Sequence, residues 1–446
     1  MIFISIILFC ILSIINYTIG GKKITYPPFI FCFIWLAVMV SRIVFTQFYL
    51  EGLFPIEWDT YLLFAGGCMT VTVAGYLSKL QFVYFEKLDI TGTRNREIEK
   101  KLVNSRLSIY TRVGLLLFCL LLFPLFLRYI QNEILTEQVE NIFKSIRYET
   151  AVNEVSFGLY GYVVTLSCFV SLYNGYVFWH RKNMLNRILY IASIIVAIAF
   201  ALATMRRSGV FMVISVNLAM YLISSPTVKI KQVVLSLVLF VLIFLTLGVV
   251  LEKGGSLNSS FKDNIDNSIE TFAEYLITPM NAIDKVLHHP LLKQEGGKRT
   301  LRFFYVAGSV LGFTKIHPND FDIVDSFLFV PYPVNVYTVY NPYIRDFGWM
   351  YALGWIFIFL FVHSNAYFKL RPASNNYFSK IIYSLLFFPL IMVFFNDQYI
   401  SLLSTWIQLL LMTGSVYFIF WCKAKGIFFY LFPIKRFHST TNANLL

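Results

Sequence analysis

An all-α polytopic membrane protein is the fold class this sequence predicts, and three observations carry the prediction. The chain is 58% hydrophobic and only 14% charged, whereas soluble domains run near ~25% charged. Apolar runs of bilayer-spanning length, roughly 17–25 residues each, recur along it. Between those runs Lys and Arg gather in short loops, where they orient helices. The formal charge of +13 is therefore read as a topology signal, and no nucleic-acid partner is expected.

Eleven spans are expected, taken in order. Ile2–Ile19 begins at once, with no basic residue before it and Lys22-Lys23 after it. This predicts an uncleaved first helix with its N-terminus outside, not a signal peptide. Pro27–Phe45 follows, its Pro27-Pro28 pair suited to a first helical turn, where no backbone donor is missed. Thr60–Tyr84, Ser108–Tyr129, Phe157–Trp179 and Ile188–Thr204 are the third to sixth. Gly209–Ile223, short for a crossing, is the seventh, and Val233–Val250 is the eighth. Phe347–Phe368, Ile381–Phe395 and Ser401–Trp421 complete the set. The chain thus divides into residues 1–250 with eight helices, a large loop over 251–346, residues 347–422 with three helices, and a tail over 423–446.

Charge sets the sidedness. Lys79, Lys87, Arg94, Arg96, Lys100, Lys101 and Arg106 mark the stretch after the third span as cytoplasmic. Alternation then places Lys22-Lys23, Arg181-Lys182 with Arg187, Lys229 with Lys231, Lys369 with Arg371 and Lys380, and the C-terminal tail on the same side. The opposite short loops, Thr46–Asp59 and Asn396–Ile400, contain no Lys or Arg, as the positive-inside bias requires. The long loop faces outward, since large loops translocate largely regardless of charge. Trp58, Trp349 and Trp406 lie near expected helix ends, where interface anchors belong. All six cysteines sit within or at the ends of apolar segments, so neither a disulfide framework nor a thiolate metal site is expected.

A loop this long usually has a task of its own or is disordered, and its aromatic and apolar content argues for folding over the membrane surface. Within Ser268–Leu287, Phe272, Leu276, Met280, Ile283 and Leu287 recur at helical spacing, predicting an amphipathic helix on the bilayer or capping the bundle. Leu301–Phe313 is too short to span and is expected to be re-entrant or packed against the bundle, with Lys298, Arg299 and Arg302 before it. Asn341-Pro342 reads as an N-cap and first helical residue opening the ninth helix. That places Arg345 and Asp346 in its first turns, at the outer surface.

Arg206-Arg207 is the one basic turn on the outer side. Guanidinium offers bidentate donors matched to phosphate oxygens, so the pair reads as an anion clamp; the alternative is a pair snorkelling to lipid headgroups. Arg345 either adds to that clamp, aided by a helix N-terminus, or pairs with a loop carboxylate. Asp346 is a candidate base, although the helix dipole alone favours an acidic residue there. Asp320, Asp322 and Asp325 are common enough in solvated loops that no metal is assigned to them. His288, His289 and His317 show no metal-ligand spacing, and Gly254-Gly255 and Gly296-Gly297 lack the phosphate-loop pattern. No cofactor is expected.

At these residues the chain resembles the O-antigen polymerases, also called oligosaccharide repeat-unit polymerases. The resemblance rests on Asn335-Val336-Tyr337-Thr338 followed by Asp346-Phe347-Gly348, on Thr278–Leu287 (TPMNAIDKVL), and on Arg207-Ser208 at the head of a helix. It implies a class C glycosyltransferase architecture in the bacterial inner membrane, with a periplasmic loop, N-terminus periplasmic and C-terminus cytoplasmic. The implied substrates are undecaprenyl-diphosphate-linked glycans, and a chain-length regulator is an implied partner. Arg207, Arg206 and Arg345 would stabilise the diphosphate leaving group in place of a metal, and Asp346 or another loop carboxylate would deprotonate the acceptor. Lys298, Arg299, Arg302, Asn335, Tyr337, Thr338 and Tyr340 are the expected substrate contacts, with Tyr337, Tyr340 and Tyr343 able to stack on sugars. An O-antigen ligase shares this donor and loop, and a flippase or secondary transporter is the rival from another class. Transporters favour internal repeats, and none is visible here.

Overall fold

The computed structural model describes residues 1–86, 92–134, 157–225, 231, 241–242, 245–246, 261–289, 296–313, 327–370, 376–425 and 427. They form α1 (Ile2–Ile19), α2 (Pro27–Phe48), α3 (Trp58–Glu86), α4 (Gly92–Asn104), α5 (Arg106–Tyr129), α6 (Tyr160–His180), α7 (Met184–Ala203) and α8 (Arg207–Ser224). After them come α9 (Phe261–His288), α10 (Arg302–Val310), a hairpin of β1 (Leu328–Phe329) and β2 (Pro333–Val334), α11 (Asn341–Phe347), α12 (Trp349–Lys369), α13 (Tyr377–Ile391) and α14 (Leu403–Ala424). Nine of these helices, α1–α3, α5–α8, α12 and α14, are long and apolar enough to cross a membrane. The protein is an all-α multi-pass membrane protein.

Local sequence explains where the helices start. Pro27-Pro28 occupy the first positions of α2. Side chains of Ser105, Asn183 and Asn376 accept from the backbone of Ser108, Asn186 and Ser379, capping α5, α7 and α13, each such cap being worth roughly 1 kcal/mol. The expected tenth span, Ile381–Phe395, is displaced to the 15-residue α13, with Pro389 near its end. Proline removes an intrahelical donor, and the chain turns at Met392–Phe395. The expected eighth span, Val233–Val250, lies almost wholly outside the described residues.

Two bundles share α13. In one, α12 lies along α3, beside α1 and α2; in the other, α6 packs on α7 and α8 with α5 and α14 around it. A hydrophobic core runs through each. The loops gather at two ends. At the first, Tyr367 Oη donates to Gly20 O (2.8 Å), Tyr383 Oη to Thr25 O (2.5 Å), and Tyr377 N to Glu99 Oε1 (3.3 Å). Lys380 Nζ is 3.2 Å from His180 Nε2. This end therefore holds the turns that carry the basic residues. The other end holds the α2–α3 loop, α9, the hairpin, α11 and the α13–α14 loop.

Amphipathic α9 caps the bundle, as one of the two expectations had it. Ala273, Ile277, Met280, Ile283 and Val286 are buried, while a polar seam fixes the register. Arg42 donates to Asn281 Oδ1 (2.6 Å) and Phe54 O (3.0 Å), and Asn281 Nδ2 donates to Phe54 O (2.7 Å). One turn on, Asp284 accepts from Glu57 N (3.0 Å) and Thr60 Oγ1 (2.5 Å). Asn281 and Asp284 belong to the TPMNAIDKVL segment, so that motif has a docking role.

Four local expectations are corrected. Asn341-Pro342 do not open the long helix: Tyr340 caps the short α11, and α12 starts only after Gly348, whose φ of +88° breaks the two apart. A residue with a side chain rarely adopts that backbone conformation. Arg345 and Asp346 are buried, 3% and 7% exposed, not at the outer surface. Helix α10 has no buried residue, and Phe304, Val310, Leu311 and Phe313 stay exposed, so of the two expectations for it the one of packing against the bundle is set aside. Trp58 and Trp349 are exposed at helix starts, but Trp406 is buried and donates to Gln398 O (3.0 Å).

Reporter fusions after Arg181, Ser225 and Lys425 should all report one compartment and a fusion after Lys262 the other, because α8 and α14 finish at the basic end and α9 lies at the opposite one. A fusion after Lys262 that matched the other three would refute the two-ended arrangement.

Candidate functional site

The segment that leads into α11 is stitched into the bundle by its backbone. Because α13 stops short, the carbonyls that follow it are available: Thr338 N donates to Phe395 O (3.1 Å) and Val339 N to Val393 O (2.9 Å). Thr338 has a φ of +70°, a strained conformation for a β-branched residue, and is fully buried. Tyr340 is also fully buried, its ring 5.9 Å from Trp35 and 5.8 Å from Phe64. A Cβ at Gly67 would collide with the Tyr340 hydroxyl, so glycine there is what admits the ring. Tyr340 therefore packs the core, and Tyr337, Thr338 and Tyr343 are as fully buried as it is, so none of the three tyrosines has an open face for a sugar.

Asp397, which sequence reasoning did not single out, holds this segment in place. It is fully buried and accepts from Tyr343 Oη (2.8 Å), Tyr399 N (3.1 Å), Ile400 N (3.1 Å), Ser401 N (2.9 Å) and Ser401 Oγ (2.9 Å). Burial pushes its carboxyl up from the usual range against the pull of those donors. Burial, and then the Asp397 charge, likewise raise the Tyr343 hydroxyl well above its ordinary value, so Tyr343 stays a donor. The sequence did carry a signal. An Asp in a short loop can accept from the backbone N–H groups just after it, as Asp397 does from Tyr399 and Ile400.

Arginines arrive from two distant parts of the chain. Arg345 on α11 donates from Nε to Asn341 Oδ1 (2.8 Å), and its guanidinium lies 4.9 Å from the centre of the Tyr337 ring. Arg207 begins α8, after a left-handed turn at Met205 (φ +54°). Its guanidinium lies 6.0 Å from the Tyr275 ring of α9. The Tyr275 ring is 5.4 Å from that of Phe395, whose carbonyl takes the Thr338 N–H. One continuous line of contacts thus joins Arg207 to the segment bearing Tyr337 and Arg345. Arg206 is exposed and lies 5.5 Å from the Phe157 ring. An aromatic face stabilises a guanidinium without consuming its N–H donors.

The remaining expected residues fall into place around this line. Asp346 Oδ2 accepts from Thr300 N (2.6 Å) and Arg299 N (3.1 Å), which clasps the basic turn to α11 and gives the carboxylate a structural task. Lys298 is exposed, Arg299 and Arg302 are half-buried, and Asn335 is half-buried beyond the hairpin. His288 on α9 is 3.1 Å from Glu57 and 3.7 Å from Asp59. His317, Asp320, Asp322 and Asp325 lie outside the described residues; among the described residues no three His, Cys, Asp or Glu side chains group as metal ligands. A second residue that the sequence did not flag is Glu274, half-buried beside Tyr275. Burial, then repulsion from Glu270 one turn away, pushes its carboxyl up.

Asp397→Asn keeps the shape but turns one oxygen into an N–H donor facing other donors. Leaving buried donors unsatisfied costs about 1–3 kcal/mol each, so the purified variant should melt well below the wild type in detergent. An unchanged melting temperature would remove Asp397 from this role.

Comparison with family models, with curated proteins and with solved structures found no match to the chain.

Proposed function

We propose that the chain is a membrane-embedded glycosyltransferase of the O-antigen polymerase kind, working at the periplasmic face of a bacterial inner membrane. On this reading it transfers a growing glycan from undecaprenyl diphosphate to the non-reducing end of a lipid-linked repeat unit. The observation that carries the proposal is the line from Arg207 through Tyr275 and Phe395, whose carbonyl takes the Thr338 N–H, to the adjoining Tyr337 with Arg345, at the end opposite the basic turns. Two arginines on aromatic faces, half-buried and buried, suit a diphosphate whose charge grows as it leaves. The positive-inside bias makes the basic end cytoplasmic and this end periplasmic, with the N-terminus periplasmic and the C-terminus cytoplasmic.

The acceptor hydroxyl would attack the anomeric carbon as its bond to the diphosphate oxygen breaks. The diphosphate departs with the electron pair and the hydroxyl proton passes to a carboxylate. Asp346, whose Oδ2 takes the Thr300 and Arg299 N–H groups, or another carboxylate at this end, with Glu274 a second candidate, would take that proton.

Deletion tests the function. Gel analysis of surface polysaccharide should show single repeat units in place of long chains. A ligase would leave polymer on its lipid carrier, and a transporter would leave repeats trapped inside; either pattern would sink the polymerase reading.

Arg207→Ala should cut transfer by about 100–1,000-fold, the loss seen when one preorganised donor is removed from an oxyanion site, with normal insertion and abundance. Lysine should rescue only in part, since it keeps charge but loses the fork. Whichever of Glu274→Gln and Asp346→Asn removes the base should lose transfer, and Asp346→Asn should also melt early. Normal chain length from well-expressed Arg207→Ala would leave the pair as headgroup contacts only.

A further inference from the structure

The basic turn and α10 form an arm that hangs from α11. Thr300 N and Arg299 N donate to Asp346 Oδ2 (2.6 and 3.1 Å), and Thr300 Oγ1 donates to Pro342 O (3.3 Å). Gly297 packs so closely that a Cβ there would come 3.2 Å from the Phe347 ring. The root of the arm is therefore fixed, while no residue of α10 is buried. Phe304, Val310, Leu311 and Phe313 are 57%, 78%, 68% and 82% exposed. Four large apolar side chains displayed on one short arm mark a contact surface.

The depth of the root says what that surface meets. Helix α12 has 21 residues, about 31 Å at 1.5 Å each, which matches the ~30 Å hydrocarbon core of a bilayer. Its first residues, Trp349, Met350 and Tyr351, are exposed, as befits an aromatic belt at the lipid boundary. Asp346, which holds the root, stands three residues outside that helix, a reach of at most about 10 Å of chain. The interfacial layer beyond the hydrocarbon is itself roughly 5–8 Å deep. The root thus lies at headgroup level. Phe347, 5.6 Å from Tyr351, joins the arm to the exposed surface of α12.

The sequence supplies the charge. Residues 296–313 contain Lys298, Arg299 and Arg302 and no Asp or Glu, and Lys298 is exposed. All three cations stand at the clasped end, and Val310 lies about 12 Å along the helix from Arg302. Basic side chains joined to exposed aromatic and aliphatic ones on a short helix suit an anionic bilayer surface. We propose that α10 is an interfacial arm that seats on such a surface. Its apolar side chains enter the acyl layer, and Lys298, with Arg299 and Arg302, meets phospholipid phosphates. Because Asp346 ties the root to α11, seating holds the short helix that carries Arg345 at a fixed height on the bilayer. None of these contacts depends on what the chain catalyses.

The test is fluorescence of the environment-sensitive dye NBD on Val310→Cys. It uses the full-length chain with Cys10→Ser, the other five cysteines being buried. In phosphatidylcholine vesicles containing phosphatidylglycerol, the dye should show the long lifetime of an apolar surrounding. It should be quenched by doxyl-lipid and shielded from iodide, unlike the same dye on Asp266→Cys at an exposed position of α9. Lys298→Gln should lower the ratio of long- to short-lifetime dye about five-fold, the worth of one basic side chain near an anionic surface. Pure phosphatidylcholine should lower it further. A dye at the Val310 site as open to iodide as at the α9 site would overturn the seating. Shielding from iodide without quenching by doxyl-lipid would show a protein cover and overturn it too. A ratio unchanged in pure phosphatidylcholine or in Lys298→Gln would overturn the anionic headgroups.

Discussion

Asp397 sits at the junction of three parts of the chain that are far apart in sequence: the end of α13, the start of α14 and, through Tyr343, the short helix α11. A carboxylate there costs free energy to bury, and five donors within 3.1 Å offset that cost. The compensation is geometric as well as energetic, because buried polar groups must be matched one by one. Once the turn after α13 is fixed, its carbonyls can accept from Thr338 and Val339. The strained Thr338 backbone is then held, and Tyr337 and Arg345 follow at set positions. Strain of this kind, of order 1–3 kcal/mol per residue, persists only where the surroundings over-determine it.

The cap helix α9 completes the arrangement from the other side. Its seam to α2 and α3 uses Arg42, Asn281 and Asp284, while the turn before that seam carries Tyr275 towards Arg207 and Phe395. A helix docked by apolar contacts alone could slide by a turn at modest cost, since burial is non-directional. Hydrogen bonds from a guanidinium to one amide and one carbonyl do not tolerate that shift. The polar seam therefore sets the register that puts Tyr275 under the guanidinium.

Much of this was legible in the sequence, and the parts that were not share a physical cause. Periodicity and run length found the nine long helices and the amphipathic cap, because burial and hydropathy are properties of a segment. Side-chain caps at Ser105, Asn183 and Asn376 mark helix starts in the same local way. Gly348 was quoted in a motif, yet its positive φ, which separates α11 from α12, is invisible until the backbone is seen. Tyr340 illustrates the opposite error. An aromatic beside polar residues looks like a sugar platform, and only the space left by Gly67 shows it to be core. Asp397 reads in sequence as a turn former only, since a local turn signal says nothing of Tyr343 or of the five donors that converge on the carboxylate. Arg345 and Asp346 read as outer-surface residues because Asn341-Pro342 marks a helix start and says nothing of what is packed over it.

Burial alone does not make an arginine functional, and Arg112 on α5 shows why. It is 1% exposed, and its guanidinium donates to Ser108 O (3.3 Å), Asn174 Oδ1 (3.4 Å) and Asn186 Oδ1 (2.9 Å). Those acceptors come from α5, α6 and α7 themselves, so the cation ties three helices together near the basic end, with neutral amides and a carbonyl accepting its hydrogen bonds. A charged donor to such acceptors is worth roughly 1.5–3 kcal/mol, enough to account for its presence without a ligand. Arg207 and Arg345 are placed differently. Both lie over tyrosine rings at the loop end, one at a helix N-terminus and the other on a short helix pinned by its neighbours. What sets these two apart from Arg112 is thus their place, at the loop end and against aromatic rings, which is why the line from Arg207 to Arg345, and not the buried charge itself, carries the functional reading.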